Sequence, residues 1–559
     1  MTAAQRGDER IDMTEQEWAE EVTFGDLLRR TALAHPDQDA LVFPGERVTY
    51  REFVDRVDGF ARTLRALDVG PGDHVGALMP NSIDFMAIFY AAATLGAVMV
   101  PVNARFKTEE LGYVIDNADI KVLFTSDEIS EYVDFPSILE QTFPGLSEAD
   151  PWALKLPRVP ALRTIVLKGA PRVGFAPLTE ALRRGDSVDQ TEIEAFRRRV
   201  RPSDIALLMY TSGTTANPKG CLLTHASVVR NGINFATTKF HMRTGERMWN
   251  PLPFFHMGAL LPFTACVSSA SAMISTHHFK AAEALDALES ERVTIAYPAF
   301  ETIWRQVLEL PDFDARDLST LRTILIVAVP ESLREMQQRV PWAAQIASFG
   351  STEVSGVACY NEPSDALEDR VTTCGTPFPG VEVRAVDPVT LQDVPAGERG
   401  ELWVRGYSVF QGYYKDQQKT DEVLLPDGWF RTGDLGTVDS RGQVAFHGRL
   451  KDMLKIGGEN VAAIEIENFL ATHPAVAVVA VVGAPDPRYA EVAAAYVQLK
   501  EGAHLEPEEL IAYCRGRIAS FKVPRHVRIV NEWPFSGTKI KKHVLRDQIA
   551  AELTNRAAD

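Results

Sequence analysis

Tyr210-Thr211-Ser212-Gly213-Thr214-Thr215-Ala216-Asn217-Pro218-Lys219-Gly220 follows the apolar run Ile205–Met209, which predicts a buried strand. Small residues let a backbone approach a ligand closely, and hydroxyls and amide N–H groups supply donors without bulk. With the single cation Lys219, that is the chemistry needed to hold a polyphosphate. The stretch is not a Walker loop, which places Gly before the Lys and Ser or Thr after it; here Pro218 and Gly220 take those places. The plain alternative is a Gly/Thr-rich turn between strand and helix, and the length of the pattern favours nucleotide binding instead.

Upstream and downstream of this loop the pattern is that of an α/β protein. At 559 residues the chain exceeds one compact core and predicts two or more domains. Thr49-Tyr-Arg-Glu52 reads as a capping box, with Phe53, Val57, Phe60, Leu64 and Leu67 on one helical face behind it. Gly70-Pro-Gly72-Asp73 reads as a turn and not a dinucleotide fingerprint, because it leads from helix to strand. The alternation then continues as helix 84–95, strand 98–102, helix 108–116 and strand 121–124, the rhythm of an open sheet with helices on both faces. Residues 126–200 are less regular and read as a surface excursion. A second block follows, with helix 224–236, a strand near 247–251, helix 280–290 and strands 293–296 and 322–327. From 375 the pattern shifts to short alternating strands with many glycines, a small β-rich subdomain over 375–448. After Arg449, alternating strands and helices suit an α+β domain of about 100 residues.

The net charge of −18 argues against nucleic acid or an anionic membrane as the main partner. Five cysteines without a C-x-x-C pair suggest reduced thiols in a cytoplasm. Residues 1–20 are polar and acidic, lack the apolar core of a signal peptide, and read as a disordered lead-in. Phe85 to Ala104 carries no charge, but Gly96 and Pro101 interrupt it; a buried helix running into a strand is expected, and no membrane span. His277-His278 lacks further spaced ligands and is not read as a metal site.

The loop at 210–220 resembles the signature of the adenylate-forming superfamily, which includes acyl- and aryl-CoA ligases, nonribosomal-peptide adenylation domains and firefly-type luciferases. The resemblance extends over residues 22–548. It implies a large N-terminal domain (21–450) of two α/β subdomains plus the β-rich one, and a smaller mobile C-terminal domain (451–559). Thr211, Ser212, Gly213, Thr214, Thr215 and Lys219 would then hold phosphates. Ser348-Phe-Gly-Ser-Thr-Glu353 resembles the second core motif. Phe349, Gly350 and Ser351 would flank the nucleotide, Phe349 with a flat face for adenine. Thr352 would donate to the α-phosphate, and Glu353 would bind Mg²⁺, a hard ion that favours carboxylate and phosphate oxygens. Alone, Thr-Glu is as readily a helix cap.

Trp429-Phe-Arg-Thr-Gly-Asp434 resembles the ribose-binding motif, with Asp434 accepting from the hydroxyls; Arg449 would hold ribose too. His256, behind Phe254 and Phe255, would gate the nucleophile's channel, although a lone His among aromatics is more often structural. Lys451 would be the hinge, about which the C-terminal domain turns between half-reactions. Lys455, Gly457 and Gly458 would line a pantetheine tunnel. Lys539, in Trp533-Pro-Phe-Ser-Gly-Thr-Lys539, would bridge carboxylate and α-phosphate. From Arg515 to Arg546 nine Lys/Arg face one acid, Glu532, a local inversion of the chain's acidic field. Phe254, Phe255, Met257, Ala259, Val329 and Val354 would surround an acyl pocket.

The implied activity is an acid:CoA ligase using ATP, CoA and Mg²⁺ through an acyl-AMP, on a long-chain or polycyclic acid. The implied setting is cytoplasmic, without nucleic acid, and compatible with a homodimer. Four positions depart from the family pattern: Ala216, Val327-Ala328, Ala490 and Thr538 stand where glycines are usual. Added side chains can block close backbone approach, and one lost electrostatic contact in a transition state costs about 10²–10³ in rate. The alternatives are therefore a thioesterifying enzyme fed with preformed acyl-AMP, an adenylation enzyme loading a carrier protein, or a nucleotide-binding protein without turnover. Nothing in the chain marks the oxygenation site of a luciferase.

Overall fold

Thr49 caps the helix Tyr50–Ala66: its Oγ1 accepts the Glu52 N–H while Glu52 returns a bond to the Thr49 N–H. The apolar stripe behind that cap, Phe53, Val57, Phe60 and Leu64, is fully buried. A computed structural model describes residues 22–211, 217–456, 459–486, 489–536 and 539–558. The lead-in at 1–20 lies outside the described residues. The described residues fall into two compact units, one within Met1–Tyr210, Gly220–Phe279 and Tyr407–Lys415, the other within Thr211–Lys219, Lys280–Gly406 and Asp416–Asp559.

The strands up to residue 279 are β1 (Asp39–Phe43), β2 (Glu46–Thr49), β3 (His74–Leu78), β4 (Val98–Pro101), β5 (Ile120–Ser126), β6 (Thr164–Lys168), β7 (Ala176–Pro177), β8 (Ile205–Thr211), β9 (Lys219–Thr224), β10 (Arg247–Trp249) and β11 (Ala272–Ile274). One sheet runs β7-β6-β5-β3-β4-β8-β9, with β3, β4, β5, β6, β7 and β8 joined by parallel pairings. In the same unit, β10, β11 and β1 pair in parallel and β2 closes antiparallel on β1. The uncharged stretch resolves into the wholly buried helix Ile83–Thr94 and the buried strand β4. Ser82 caps that helix through the Phe85 N–H.

The region 126–200 is not a surface excursion throughout. Within it, β6 is a buried strand of the central sheet, in register with β5 from Val122↔Thr164 to Ser126↔Lys168. Arg163 and Lys168 flank its short apolar run, so neither alternation nor length announces it. The phosphate-loop stretch also differs from a strand-to-helix turn: β8 and β9 are neighbours in one sheet, and the helix His225–Asn234 begins only after β9.

In the second unit β12 (Ile295–Phe300), β13 (Thr323–Val327) and β14 (Ala344–Ile346) pair in parallel. Then β15 (Ser348–Phe349), β16 (Cys359–Tyr360) and β17 (Thr376–Pro377) make a small antiparallel sheet. The glycine-rich segment forms an antiparallel sheet of β18 (Val381–Val386), β19 (Gly400–Gly406), β20 (Phe430–Val438) and β21 (Val444–Arg449). Beyond the 3₁₀ turn Leu450–Asp452 come β22 (Met453–Ile456), β23 (Glu459–Ala462), β24 (Val476–Asp486), β25 (Ala490–Leu499) and β26 (His526–Ile529) in one sheet. The pair β27 (Phe535–Ser536) and β28 (Lys539–Ile540) follows, and then the helix Lys542–Ala558.

In that last sheet β24 is the edge, and the buried Glu467 of the helix Ala463–Ala471 attends to it. Its Oε1 accepts the Val481 N–H at 2.6 Å and the Lys542 ammonium at 2.6 Å.

Candidate active site

The ribose motif is built by a bulge. Strand β19 pairs with β20 at Glu401↔Leu435 and Trp403↔Arg431, so a single residue, Leu402, faces the three residues Thr432, Gly433 and Asp434. Bulges re-aim side chains and leave backbone groups off the ladder. Thr432 Oγ1 donates to the Leu402 carbonyl at 2.6 Å and accepts the Asp434 N–H at 3.0 Å. Gly433 takes φ +70 with open space where a Cβ would stand, so it is the backbone conformation that requires glycine there. On the other side Asp434 is the direct cross-strand partner of Arg449, whose Nε lies 2.7 Å from Asp434 Oδ1. Fifteen positions apart in sequence, the two expected ribose ligands are opposite each other on β20 and β21.

The adenine motif is fixed by close backbone approach. A Cβ at Gly350 would lie 2.3 Å from the Gly356 carbonyl oxygen, so only glycine lets the turn close. Thr352–Val354 form a 3₁₀ turn, which Ser355 (φ +55) and Gly356 (φ +101) reverse. Phe349 is buried, and its ring stacks at 6.2 Å and 27° on Phe446 of β21, itself 41 % exposed. Sequence reading did not single out Phe446, which lies in an alternating strand without a motif. Ser351 Oγ is buried and, among the described residues, has no hydrogen-bond partner. Thr352 and Glu353 are half-buried. Among the described residues no three His, Cys, Asp or Glu side chains could hold a metal together.

Of the phosphate loop, Thr211 and Lys219 are described and half-buried, Thr211 Oγ1 lying 3.5 Å from the Lys219 carbonyl. Ser212, Gly213, Thr214, Thr215 and Ala216 lie outside the described residues. So do Gly457, Gly458 and Thr538. Lys455 stands in β22 opposite Asn460, and Lys539 in β28 opposite Ser536. Ala490 opens β25, paired with Asp486 and Ile456. Lys451 is exposed in the 3₁₀ turn directly after Arg449, and its carbonyl accepts Arg546 Nη2 at 3.5 Å. Across the same junction Glu465 pairs with Arg399 and with Lys522, the latter at 2.6 Å.

In the first unit His256 is the N-cap of the helix Met257–Ser269, its carbonyl accepting the Ala259 and Leu260 N–H groups. Its ring is half-buried, 4.7 Å from that of Phe255. Asn81, buried, holds the preceding loop: Nδ2 donates to the Leu252 carbonyl at 2.9 Å and Oδ1 accepts the Phe254 N–H at 2.8 Å. Asn81 stands in no motif, and sequence reading did not single it out as an anchor. Phe254 packs its edge against Phe43 and Phe85 and is fully buried. Phe255, Met257 and Ala259 are buried nearby in sequence; in the second unit Val354 is buried, and Val329 caps the helix Pro330–Arg339.

Residues 28–414 match the model of the AMP-binding enzyme family and residues 465–539 that of the AMP-binding enzyme C-terminal domain. The chain belongs to this adenylate-forming family. It is 39 % identical over 534 residues to a Bacillus subtilis protein, YngI, named as an acyl-CoA synthetase, covering 94 % of this chain and 97 % of that one. It is 34 % identical to the mitochondrial medium-chain acyl-CoA ligase ACSF2 of Macaca fascicularis, covering 95 % of this chain and 88 % of the relative. A Mycobacterium tuberculosis fatty acyl CoA synthetase superposes with a TM-score of 0.69 at 28 % identity, over 95 % of this chain and 99 % of that one. Within the family, the chain is thus placed among the acyl-CoA synthetases and ligases, AMP-forming acid–thiol ligases that use ATP and CoA. Among the described residues no helix is long and apolar enough to cross a membrane.

Proposed function

We propose that the chain joins a hydrophobic carboxylic acid to CoA in two steps at one nucleotide site. A carboxylate is a poor electrophile. In the first step its oxygen attacks the α-phosphorus of ATP, pyrophosphate leaves, and an acyl-AMP forms. In the second the CoA sulfur attacks the acyl carbonyl and AMP leaves. The observation that carries this reading is the cross-strand pair Asp434–Arg449 at the bulge, a carboxylate and a guanidinium set side by side for a ribose diol.

Asp434 accepts from the ribose hydroxyls, Arg449 orients both, and Phe349 with Phe446 offers the aromatic face for adenine. Thr352 and the hydroxyls of the loop at 211–215 donate to phosphate oxygens. Lys539 brings its ammonium to the two anions as they approach, lowering their repulsion in the transition state. Glu353 fits the usual Mg²⁺ arrangement of one carboxylate plus substrate phosphates; the ion would supply neutralisation of phosphate charge. His256 stands at the start of its helix as the gate to the acyl carbonyl. The acid is read as apolar, long-chain or polycyclic, because Phe255, Met257, Ala259 and Val354 carry no polar group for it. The segment 451–559 is the mobile domain, turning about Lys451.

Incubation with ATP, CoA and a panel of acids, read by pyrophosphate exchange and by thioester detection, tests this; neither product from any acid sinks it. A second reading has one observation in its favour. Val327, where the family usually has glycine, ends β13 with its side chain 48 % exposed. If synthetic acyl-AMP and CoA give thioester while pyrophosphate exchange is absent, the chain takes up preformed adenylate.

A further inference from the structure

The bulge that aims Asp434 leaves the Gly433 N–H without a ladder partner, and a carboxylate from the neighbouring strand takes that place. Glu401 is 2 % exposed, and its Oε1 accepts the Gly433 N–H at 3.1 Å. Its Oε2 accepts the Trp403 indole N–H at 2.8 Å and faces Arg431, whose Nη2 and Nε lie 3.3 and 3.4 Å away. A buried carboxylate is tolerated when each of its oxygens is engaged, and this one has an amide, an indole and a guanidinium.

The groups that hold Glu401 are themselves fixed. Arg431 lies 5.5 Å over the Trp403 ring, and Arg384 is interleaved between Trp403 at 5.0 Å and Trp429 at 4.2 Å. Arg405 covers Trp429 at 4.6 Å and is held by Glu382 through two bonds of 2.8 Å. The stack is therefore closed by a carboxylate at each end, and the inner one is bonded to the residue before Asp434.

We infer that Glu401 is a positioning residue for nucleotide recognition: it locks the bulge so that Asp434 presents its carboxylate to the ribose hydroxyls. Glu401 does not touch ATP; it acts through Gly433. The inference rests on the reading of Asp434 as the ribose ligand. Without the clamp, Gly433 is free to change its backbone angles, and the Asp434 carboxylate loses its fixed direction.

The test compares kcat/KM for ATP with that for 2′-deoxy-ATP and 3′-deoxy-ATP, in pyrophosphate exchange and in thioester formation. Asp434→Asn serves as the reference and should lower the preference for ATP over the deoxy analogues by about tenfold, the usual worth of a charged hydrogen bond. Glu401→Gln should lower it in the same direction by about fivefold or more, through KM for ATP, with KM for the acid unchanged. A purely structural role would lower the rates with all three nucleotides alike and leave their ratio intact. That result, with the reference variant behaving as expected, overturns the role of Glu401. If the Asp434→Asn ratio does not move, the ribose reading itself falls, and this inference with it. Should Glu401→Gln fail to fold, Trp403→Phe removes the indole donor to Oε2 and leaves a smaller aromatic ring in the stack; if that variant folds with an unchanged ratio, the inference is overturned equally.

Discussion

The sheet β18–β21 and the sheet β22–β26 with its hairpin β27–β28 carry the proposed site residues Asp434 and Lys539 on different backbone supports. In the first, Asp434 sits at a bulge whose backbone is pinned by Thr432, by Glu401 and by the cross-strand Arg449. In the second, Lys539 lies on a two-stranded hairpin tied down at its base, by Trp533 Nε1–H to Gln498 Oε1 at 2.8 Å and by Lys541 N–H to the Pro534 carbonyl at 2.6 Å. Under the proposed function, ribose-binding geometry is set when the chain folds, whereas Lys539 is carried on a short strand pair joined to the rest through Trp533 and Lys541.

Four substitutions probe that contrast. Lys539→Ala should reduce pyrophosphate exchange by about 10²–10³, while thioester formation from synthetic acyl-AMP and the melting temperature stay near the parent's. A fall in melting temperature comparable to that of a core variant would erase the contrast. Trp429→Ala, in the stack behind Asp434, should by contrast lower stability by about 3 kcal/mol in denaturant titration.

His225 sharpens the point, because it is a buried polar group to which no catalytic role falls. Its Nδ1 accepts the Phe24 N–H at 3.3 Å, and among the described residues its buried Nε2 has no partner. Burial pushes its pKa down to about 3. The unfolded chain therefore binds a proton near its ordinary value that the folded one refuses. Stability is unaffected above that value and falls by about 1.4 kcal/mol per pH unit as pH drops from there toward the folded value. His225→Phe should flatten that acid limb in unfolding titrations between pH 4.5 and 6.5, as a rough window; an unchanged slope would show that the imidazole already finds water or a partner. Smallest of all, Arg399→Ala breaks a half-exposed ion pair to Glu465 and should shift stability by under about 1 kcal/mol. A larger shift would mean that this pair fastens the junction at Lys451.

Motif by motif, the sequence was a better guide to side chains than to the strands that hold them. Asp434 and Arg449 were legible because each stands in a run of unusual residues, yet their pairing across β20 and β21, whose ladder shifts register between Leu435 and Gly436, follows from no spacing rule. Glu401 was invisible, since in Gly400–Gly406 it reads as the polar member of an alternating strand and its partners come from elsewhere. Phe446 was missed for the same reason. β6 escaped because its apolar run is brief and bracketed by charge, whereas helix 84–95, uncharged from Phe85 onward, was found to within a residue at either end.

The carboxylate of Glu467 has a consequence beyond its own domain. The strand it attends, Val476–Asp486, is a long border of valines and alanines, the composition that recruits a second chain by strand addition. With the Val481 N–H already occupied by Glu467 Oε1, an incoming strand meets a filled donor and a buried charge where it needs an open one. The same contact that moors the terminal helix thereby leaves that border one open donor short for strand addition.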